Sequence, residues 1–361
     1  MSASLDSHVA VIGAGVLGLS VAAELSRRGA RCTVIDPSPL GDNASGVSAG
    51  MLAPAFEGAE ARAGAQTFAL LQDARDLWPA FACAVGADPP DRSGAAFVPD
   101  DAEALQQMAL ALERQGAATK RLDDAAVERL QPGLVSGGCG GLFTPEDWRL
   151  DPGPLLQALA AAIVAAGGRL LRVRANGLAS DRVELGREVL SIDAAVVCAG
   201  FDSEAFSAAV PEVSILRPVK GQRLRFTGAG PRSGPVVRSE RGYVVPSADG
   251  AIAGATMEAG LSDRRPTEEA TAALRAMAVR LFPTLAGGEA EAAAGVRAET
   301  PDGLPLVGRS TSGVFLAAGA RRNGWLLAPL AAAVIADAIA GTSEADSVSS
   351  RWADALRPDR F

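Results

Sequence analysis

Two rhythms of apolar and polar residues divide this chain. "HVAVIGAG" (8–15) is an unbroken apolar run of strand length that ends in glycine, the pattern of a strand buried on both faces. "VLGLSVAAELSRRG" (16–29) has helical periodicity closed by Gly29, and "RCTVID" (31–36) is a second buried strand ending at Asp36. Strand, helix and strand in this order predict a βαβ unit and the start of a parallel sheet. Helical patterns follow at 68–86 and 102–116, then a helix-to-strand passage at 155–173. "DAAVVCAGFDS" (193–203) reads as another buried strand running into a glycine turn. From "LRPVKGQRLRF" (216–226) to "GAIAGATM" (250–257) the rhythm becomes alternation with turns, which predicts an antiparallel sheet. After a helix at 267–283, the first rhythm returns in "GVFLAAGARRNGWLLAPLAAAVIADAIAG" (313–341), and the tail beyond it reads as surface plus a short helix.

The predicted fold class is α/β, a Rossmann-like nucleotide-binding domain with an inserted antiparallel-sheet domain. The expected boundaries are 1–75, 150–210 and 300–361 for the discontinuous nucleotide-binding domain, and 76–149 with 211–299 for the inserted one. Pro329 belongs in a first helical turn, so the last long helix is expected to begin near Leu326 to Ala328.

Composition narrows the functions. The net charge of −8 is spread along the chain with no basic run, which argues against nucleic acid as a partner. The most apolar segment is interrupted by Pro329 and Asp337 and falls short of the ~20 residues of a membrane span. The chain starts polar and enters a motif at once, so no signal peptide and a cytoplasmic location are expected. Cysteines 32, 83, 139 and 198 are scattered, which predicts neither a disulfide framework nor a metal site. The lone histidine, His8, precedes the first strand; a histidine triad, a histidine-ligated metal and a histidine general base are all disfavoured.

"GAGVLG" places Gly13, Gly15 and Gly18, with Ala14, Val16 and Leu17 between them, where a strand turns into a helix. Gly13 allows the tight turn, Gly15 lets the backbone approach a pyrophosphate, and Gly18 lets helix and strand pack closely. Asp36 stands eighteen residues beyond Gly18, placed to accept hydrogen bonds from ribose hydroxyls. The motif does not separate FAD from NAD.

Three further stretches, "ASGVSAGMLAP" (44–54), "LRPVKGQ" (216–222) and "TPDGLPLVG…GVFLAAGARRNGWLLAP" (300–329), follow in order. Together with the first motif they resemble the D-amino-acid oxidase family of FAD oxidases, and within it the glycine oxidases of thiamine biosynthesis. The likeness is closest over about 60 residues at each end. It implies FAD extended along the first domain, with Asp36 at the adenosine ribose and Val173 at adenine. Asn43, Ala44, Ser45, Ala49, Gly50 and Met51 would line the flavin, and Ala199 and Gly200 would border the cofactor. Arg322, Asn323, Gly324, Trp325 and Leu326 would bring a helix N-terminus to the flavin N1–C2=O edge, where backbone donors stabilise negative charge. No cysteine lies near the C-terminal motif, so FAD is expected to be noncovalent.

An amino-acid substrate presents a carboxylate, for which an arginine fork is the natural anchor. The resemblance singles out Arg322 first and Arg297 next, with Tyr243, the chain's one tyrosine, and Met51 beside them. Arg321 reads as rim charge and Lys220 as structural. A neutral amine can deliver its α-hydride to flavin N5 without a side-chain base, so no catalytic residue is assigned. The expected reaction is oxidative deamination of glycine or another small amino acid or secondary amine, with dioxygen as acceptor. Alternatives are a flavin dehydrogenase of amines or hydroxy acids with another acceptor, and a non-catalytic nucleotide-binding subunit of a heteromeric oxidase. A homo-oligomer is compatible with either. The chain departs from the family where Gly319-Ala320-Arg321 replaces the usual Gly-His-aromatic, which alters the wall beside the flavin.

Overall fold

A six-stranded sheet holds the ends of the chain together. The computed structural model describes residues 6–60, 65–342, 344 and 346–361. Strand His8–Ile12 lies between Arg31–Ile35 and Ala194–Val197, parallel to both. Arg169–Leu171 and Phe315–Ala318 extend the parallel set on either side, and Leu306–Arg309 closes one edge antiparallel. His8–Ile12, Ala194–Val197 and Phe315–Ala318 are buried at every position, which is why they read as unbroken apolar runs. Helices Val16–Arg27, Pro152–Ala165 and Gly324–Ala340 pack on one face, with Leu19, Leu25, Leu159, Ile163, Leu326 and Ile335 in the shared core. The expected segments of this domain include residues 1–5, 61–64, 343 and 345, which lie outside the described residues.

The second sheet has nine strands. Its spine is the antiparallel pair Arg217–Thr227 and Glu289–Glu299, in register over eleven residues. Glu258–Ala259 pairs with the Val219–Lys220 end of the spine; Gly250–Gly254, Gly242–Ser247 and Val236–Ser239 follow on one side, and Ala95–Phe97, Gly141–Thr144 and Lys120–Leu122 complete the sheet. Helix Glu268–Leu281 covers one face through Leu274, Met277 and Leu281. A three-stranded antiparallel sheet within 177–191 has no counterpart among the sequence expectations; its strands are three or four residues long and half-exposed, so they carry little apolar signal.

Two helix boundaries differ from expectation. The helical pattern at 68–86 is two helices, Ala65–Asp76 and Trp78–Ala84, because Pro79 sits in the first turn of the second. The long C-terminal helix begins at Gly324, so Pro329 lies inside it. A proline there cannot donate to the carbonyl of residue 325. The Trp78 indole does so instead: Nε1 donates to the Trp325 carbonyl at 3.0 Å in the buried core. Trp325 in turn donates its own indole N–H to Ser48 Oγ at 2.5 Å, which ties the 44–51 segment to the helix start.

Trp78→Phe keeps most of the ring and removes the donor. It should cost about 1–3 kcal/mol, read from urea unfolding; restoring an N–H with Pro329→Ala should recover part of that loss in the double variant. Equal stability of Trp78→Phe and parent would contradict this compensation.

Candidate functional site

The glycine turn and the segment after Asp36 are stitched together by short-range polar contacts. Gly13 has φ +110°, and a Cβ there would come within 2.5 Å of the Cys198 carbonyl oxygen. A Cβ on Gly18 would meet the Gly13 carbonyl oxygen at 2.0 Å. Asp36 Oδ2 accepts from the Ala14 amide at 2.7 Å and Oδ1 from the Ser38 amide at 2.8 Å, with lone pairs left for further donors. Ser45 Oγ accepts from the Val16 amide at 2.9 Å. Asn43 Oδ1 accepts from the amides of Ser45 and Gly46 at 3.0 and 3.2 Å, while its Nδ2 donates to the Ala14 carbonyl at 3.3 Å. Gly50 has φ +69° and lies so near Leu150 that a Cβ would meet its carbonyl oxygen at 2.3 Å. These contacts deliver Ala49, Gly50 and Met51 to the wall of a cavity of about 1040 Å³.

Two helix starts converge beside that segment. Gly15 and Asn323 stand at the N-caps of helices Val16–Arg27 and Gly324–Ala340, and neither contributes a side-chain cap. A Cβ built on Gly324 would meet only Val16, 3.8 Å away. Two positive helix ends with no capping carboxylate between them suit an anionic dinucleotide. The residues present therefore fit FAD. Asp36 would meet ribose; Gly15, Leu17 and Gly324 to Leu326 would offer backbone donors, the Gly13, Ala14 and Val16 amides being already engaged; Ala49 to Met51 would offer a wall for the ring. Val173 is exposed, two residues beyond Leu171, whose carbonyl accepts from the Asp36 amide at 3.1 Å. Ala199 and Gly200 follow the strand Ala194–Val197, with Gly200 at φ +60°.

The cavity wall carries a closed ring of charge. Arg238 Nη2 donates to Glu57 Oε1 at 2.8 Å, and Nη1 to Glu60 Oε1 at 2.9 Å. The second oxygens of the same carboxylates hold Arg322: Glu57 Oε2 lies 2.5 Å from its Nε and Glu60 Oε2 2.7 Å from its Nη1. Burial pushes the Glu57 pKa up, but Arg322 and Arg238 more than offset it, so the carboxyl is held below its ordinary range. Helix Pro54–Glu60 presents both glutamates, and Asp147 caps its start, accepting from the amides of Ala55 and Phe56 at 2.8 and 3.3 Å.

Arg322 is thus at the cavity, as expected, but its guanidinium is already given to two carboxylates. Arg297 is different. Among the described residues its Nη1 reaches the Thr256 carbonyl at 3.3 Å and Met257 Sδ at 3.5 Å, and no carboxylate forms an ion pair with it. The guanidinium lies over Gly221, where a Cβ would come within 2.0 Å of Nη1. Burial lowers the Arg297 pKa, although an arginine stays charged. Tyr243 lines the same cavity, its phenol oxygen 2.7 Å from where a Cβ on Gly254 would stand. Burial raises the phenol pKa, so it remains a donor.

Other expectations fall elsewhere. Lys220 is buried and bound to Asp263 at 2.8 Å, a structural contact. Arg321 adopts φ +48° with Nε 2.9 Å from Glu299 Oε1. His8 begins the first strand rather than preceding it, and its Nε2 contacts Thr33 Oγ1 at 2.9 Å. Glu57, Glu60, Arg238, Asp147 and Gly221 were not anticipated. The available signals were two glutamates three apart directly after "AGMLAP", and one arginine inside the apolar strand "VVRS".

Paired helix starts and a glycine turn answered by an acid after the next strand are the geometry of a dinucleotide-binding protein. The chain belongs to the DAO family of FAD dependent oxidoreductases, whose family model matches residues 8–338. Among characterised relatives it is 28% identical to glycine oxidase of Pseudomonas putida over 355 residues, 93% of this chain and 95% of that one. It is 31% identical to the tRNA 5-methylaminomethyl-2-thiouridine biosynthesis bifunctional protein MnmC of Maricaulis maris, covering 99% of this chain but 56% of that longer protein. The solved structure of glycine oxidase from Geobacillus kaustophilus superposes with a TM-score of 0.84 at 26% identity, covering 99% of this chain and 100% of that one. Among the described residues no helix is long and apolar enough to cross a membrane.

Burial raises the Asp147 carboxyl to about 7 against the pull of Arg238. The native state thus holds this proton more tightly than the unfolded chain; that stabilisation is full below the unfolded pKa and is lost as pH rises through about 7. Asp147→Asn has no such proton, so its stability should gain on the parent between pH 5 and 7 by about 1 kcal/mol per unit. Urea unfolding at both pH values measures this; a constant gap would contradict it.

Proposed function

We propose that the chain oxidises the Cα–N bond of a carboxylated amine to the imine, with Arg297 and Tyr243 holding the substrate carboxylate. The observation that carries this reading is the Arg297 guanidinium, seated over Gly221 in the cavity with no carboxylate paired to it among the described residues. A half-buried cation lacking a counter-ion is partly desolvated without compensation, and a substrate carboxylate would offset that through a two-pronged contact. Tyr243, kept protonated by burial, adds a donor. Arg322 serves here as a fixed wall charge and not as the primary anchor.

Bound FAD supplies the two-electron acceptor. The chain's own contribution is to orient Cα and to keep water out. Neither Glu57 nor Glu60 is free to act as a base, since each holds two arginines, and His8 is occupied at the first strand. The amine therefore has to arrive neutral, and its lone pair forms the C=N bond as hydride leaves. Similarity to oxidases supports dioxygen as terminal acceptor, with hydrogen peroxide released. Noncovalent FAD is supported by the absence of cysteine from the residues lining the cavity.

Anaerobic flavin bleaching with glycine, sarcosine, both enantiomers of alanine, and 2-hydroxy acids tests the reaction class. Amines should bleach the flavin, and kcat/KM should rise with pH as the substrate amine deprotonates; bleaching by hydroxy acids alone would overturn the assignment. Gly221→Ala should push Arg297 aside and weaken binding of a carboxylate inhibitor such as acetate by tenfold or more, with FAD content unchanged. Unaltered acetate affinity in that variant would remove Arg297 from the site.

A further inference from the structure

The "KGQ" at 220–222 puts one residue on the cavity side of the sheet and two behind it. Side chains alternate faces along a strand. Gly221 leaves room for the Arg297 guanidinium, while Lys220 and Gln222 take the other face, where both are buried. The chain has two lysines, and the other, Lys120, is exposed. A lysine is almost never enclosed unless it is paired. Lys220 has one carboxylate partner among the described residues: Asp263 Oδ1 accepts from Nζ at 2.8 Å, while the Asp263 side chain stays 51% exposed.

Asp263 belongs to a segment that is exposed at every position from 259 to 267 and has no helix or strand between Ala259 and Glu268. The two buried residues fasten it from behind. Lys220 holds Asp263, whose Oδ1 also accepts from the Arg265 amide at 3.0 Å. The Gln222 side chain donates to Glu258 Oε1 and accepts from the Thr267 amide, both at 2.7 Å, and its amide donates to Thr256 Oγ1 at 2.9 Å. The front of the segment is what meets the cavity: the Thr256 carbonyl and Met257 Sδ are the contacts of Arg297 Nη1. At the far end Arg264 reaches Asp202 at 3.1 Å, but both side chains are about half exposed or more, so that contact contributes little.

We propose that Lys220 is a positioning residue for the carboxylate anchor: by latching Asp263 it holds segment 256–263 so that Thr256 and Met257 seat the Arg297 guanidinium. This rests on the reading of Arg297 as that anchor. The asymmetry of the pair keeps the latch closed. Asp263 is reached by water and loses little on release, whereas Lys220 without it is an enclosed ammonium lacking a counter-ion.

The test uses the purified flavoprotein. Lys220→Met keeps the stem and removes the charge; Asp263→Ala breaks the same contact from an exposed position. Each should weaken acetate binding about fivefold and raise substrate KM by a similar factor, with kcat and FAD content little changed. The double variant should lose no more than the worse single one, because both remove one contact. In an Arg297→Met background, Lys220→Met should leave the residual acetate affinity unmoved, a dependence that a merely structural lysine would not show. Trypsin reports on the segment itself: cutting between Arg264 and Arg265 should speed up in both variants, and acetate should slow it in the parent. If Lys220→Met does not fold, Asp263→Ala decides alone. Parental acetate affinity in Asp263→Ala would overturn the proposal, whether or not cutting accelerates. If Arg297→Met weakens acetate binding and the latch variants do not, only the latch falls; if Arg297→Met binds acetate as the parent does, the anchor reading falls with it.

Discussion

The cyclic ion pair of Glu57, Arg238, Glu60 and Arg322 is the constraint on which the cavity depends. Each carboxylate gives one oxygen to each arginine. Arg238 and Glu57 are nearly fully buried, and neither could stay so alone: removing one partner of a buried pair typically costs about 3–5 kcal/mol. The four residues come from three distant places: the short helix Pro54–Glu60, a strand of the antiparallel sheet, and the loop before helix Gly324–Ala340. The ring therefore fastens the nucleotide-binding part to the inserted sheet at the point where the cavity opens between them. Asp147 and the Gln115 side chain, which donates to the Ala55 carbonyl at 2.6 Å, hold the glutamate helix in place.

Closing that ring decides which arginine is left for chemistry. Arg322 is neutralised before any substrate arrives, and Arg297 is not. The strand register brings this about: Arg297 pairs with Val219 on the neighbouring strand, and its side chain leans over Gly221. With no acid in an ion pair among the described residues, the half-buried guanidinium is left without a counter-ion. In the proposed reaction the substrate carboxylate would supply one.

Much of the nucleotide-binding half is legible in the sequence because its chemistry is local. Gly13 needs a positive φ, Gly18 needs close packing, and Asp36 ends the very next strand, so one short stretch carries its own explanation. The wall of the cavity is not written that way. Arg238 becomes a partner of Glu57 only when the two halves meet, and Arg297 becomes free only because Glu57 and Glu60 are taken. Motif position singles out Arg322 but cannot reveal its partners Glu57 and Glu60. Pro329 shows the same limit: local rules put it in a first helical turn, while a tryptophan from a distant helix allows it further in.

The most direct measurement compares how two arginine variants bind a simple carboxylate. Acetate affinity, read from perturbation of the bound-flavin spectrum, should weaken by about a hundredfold in Arg297→Met, and by much less in Arg322→Met. The reverse order, with Arg297→Met binding acetate as the parent does, would contradict the claim that Arg297 is the free cation of the site.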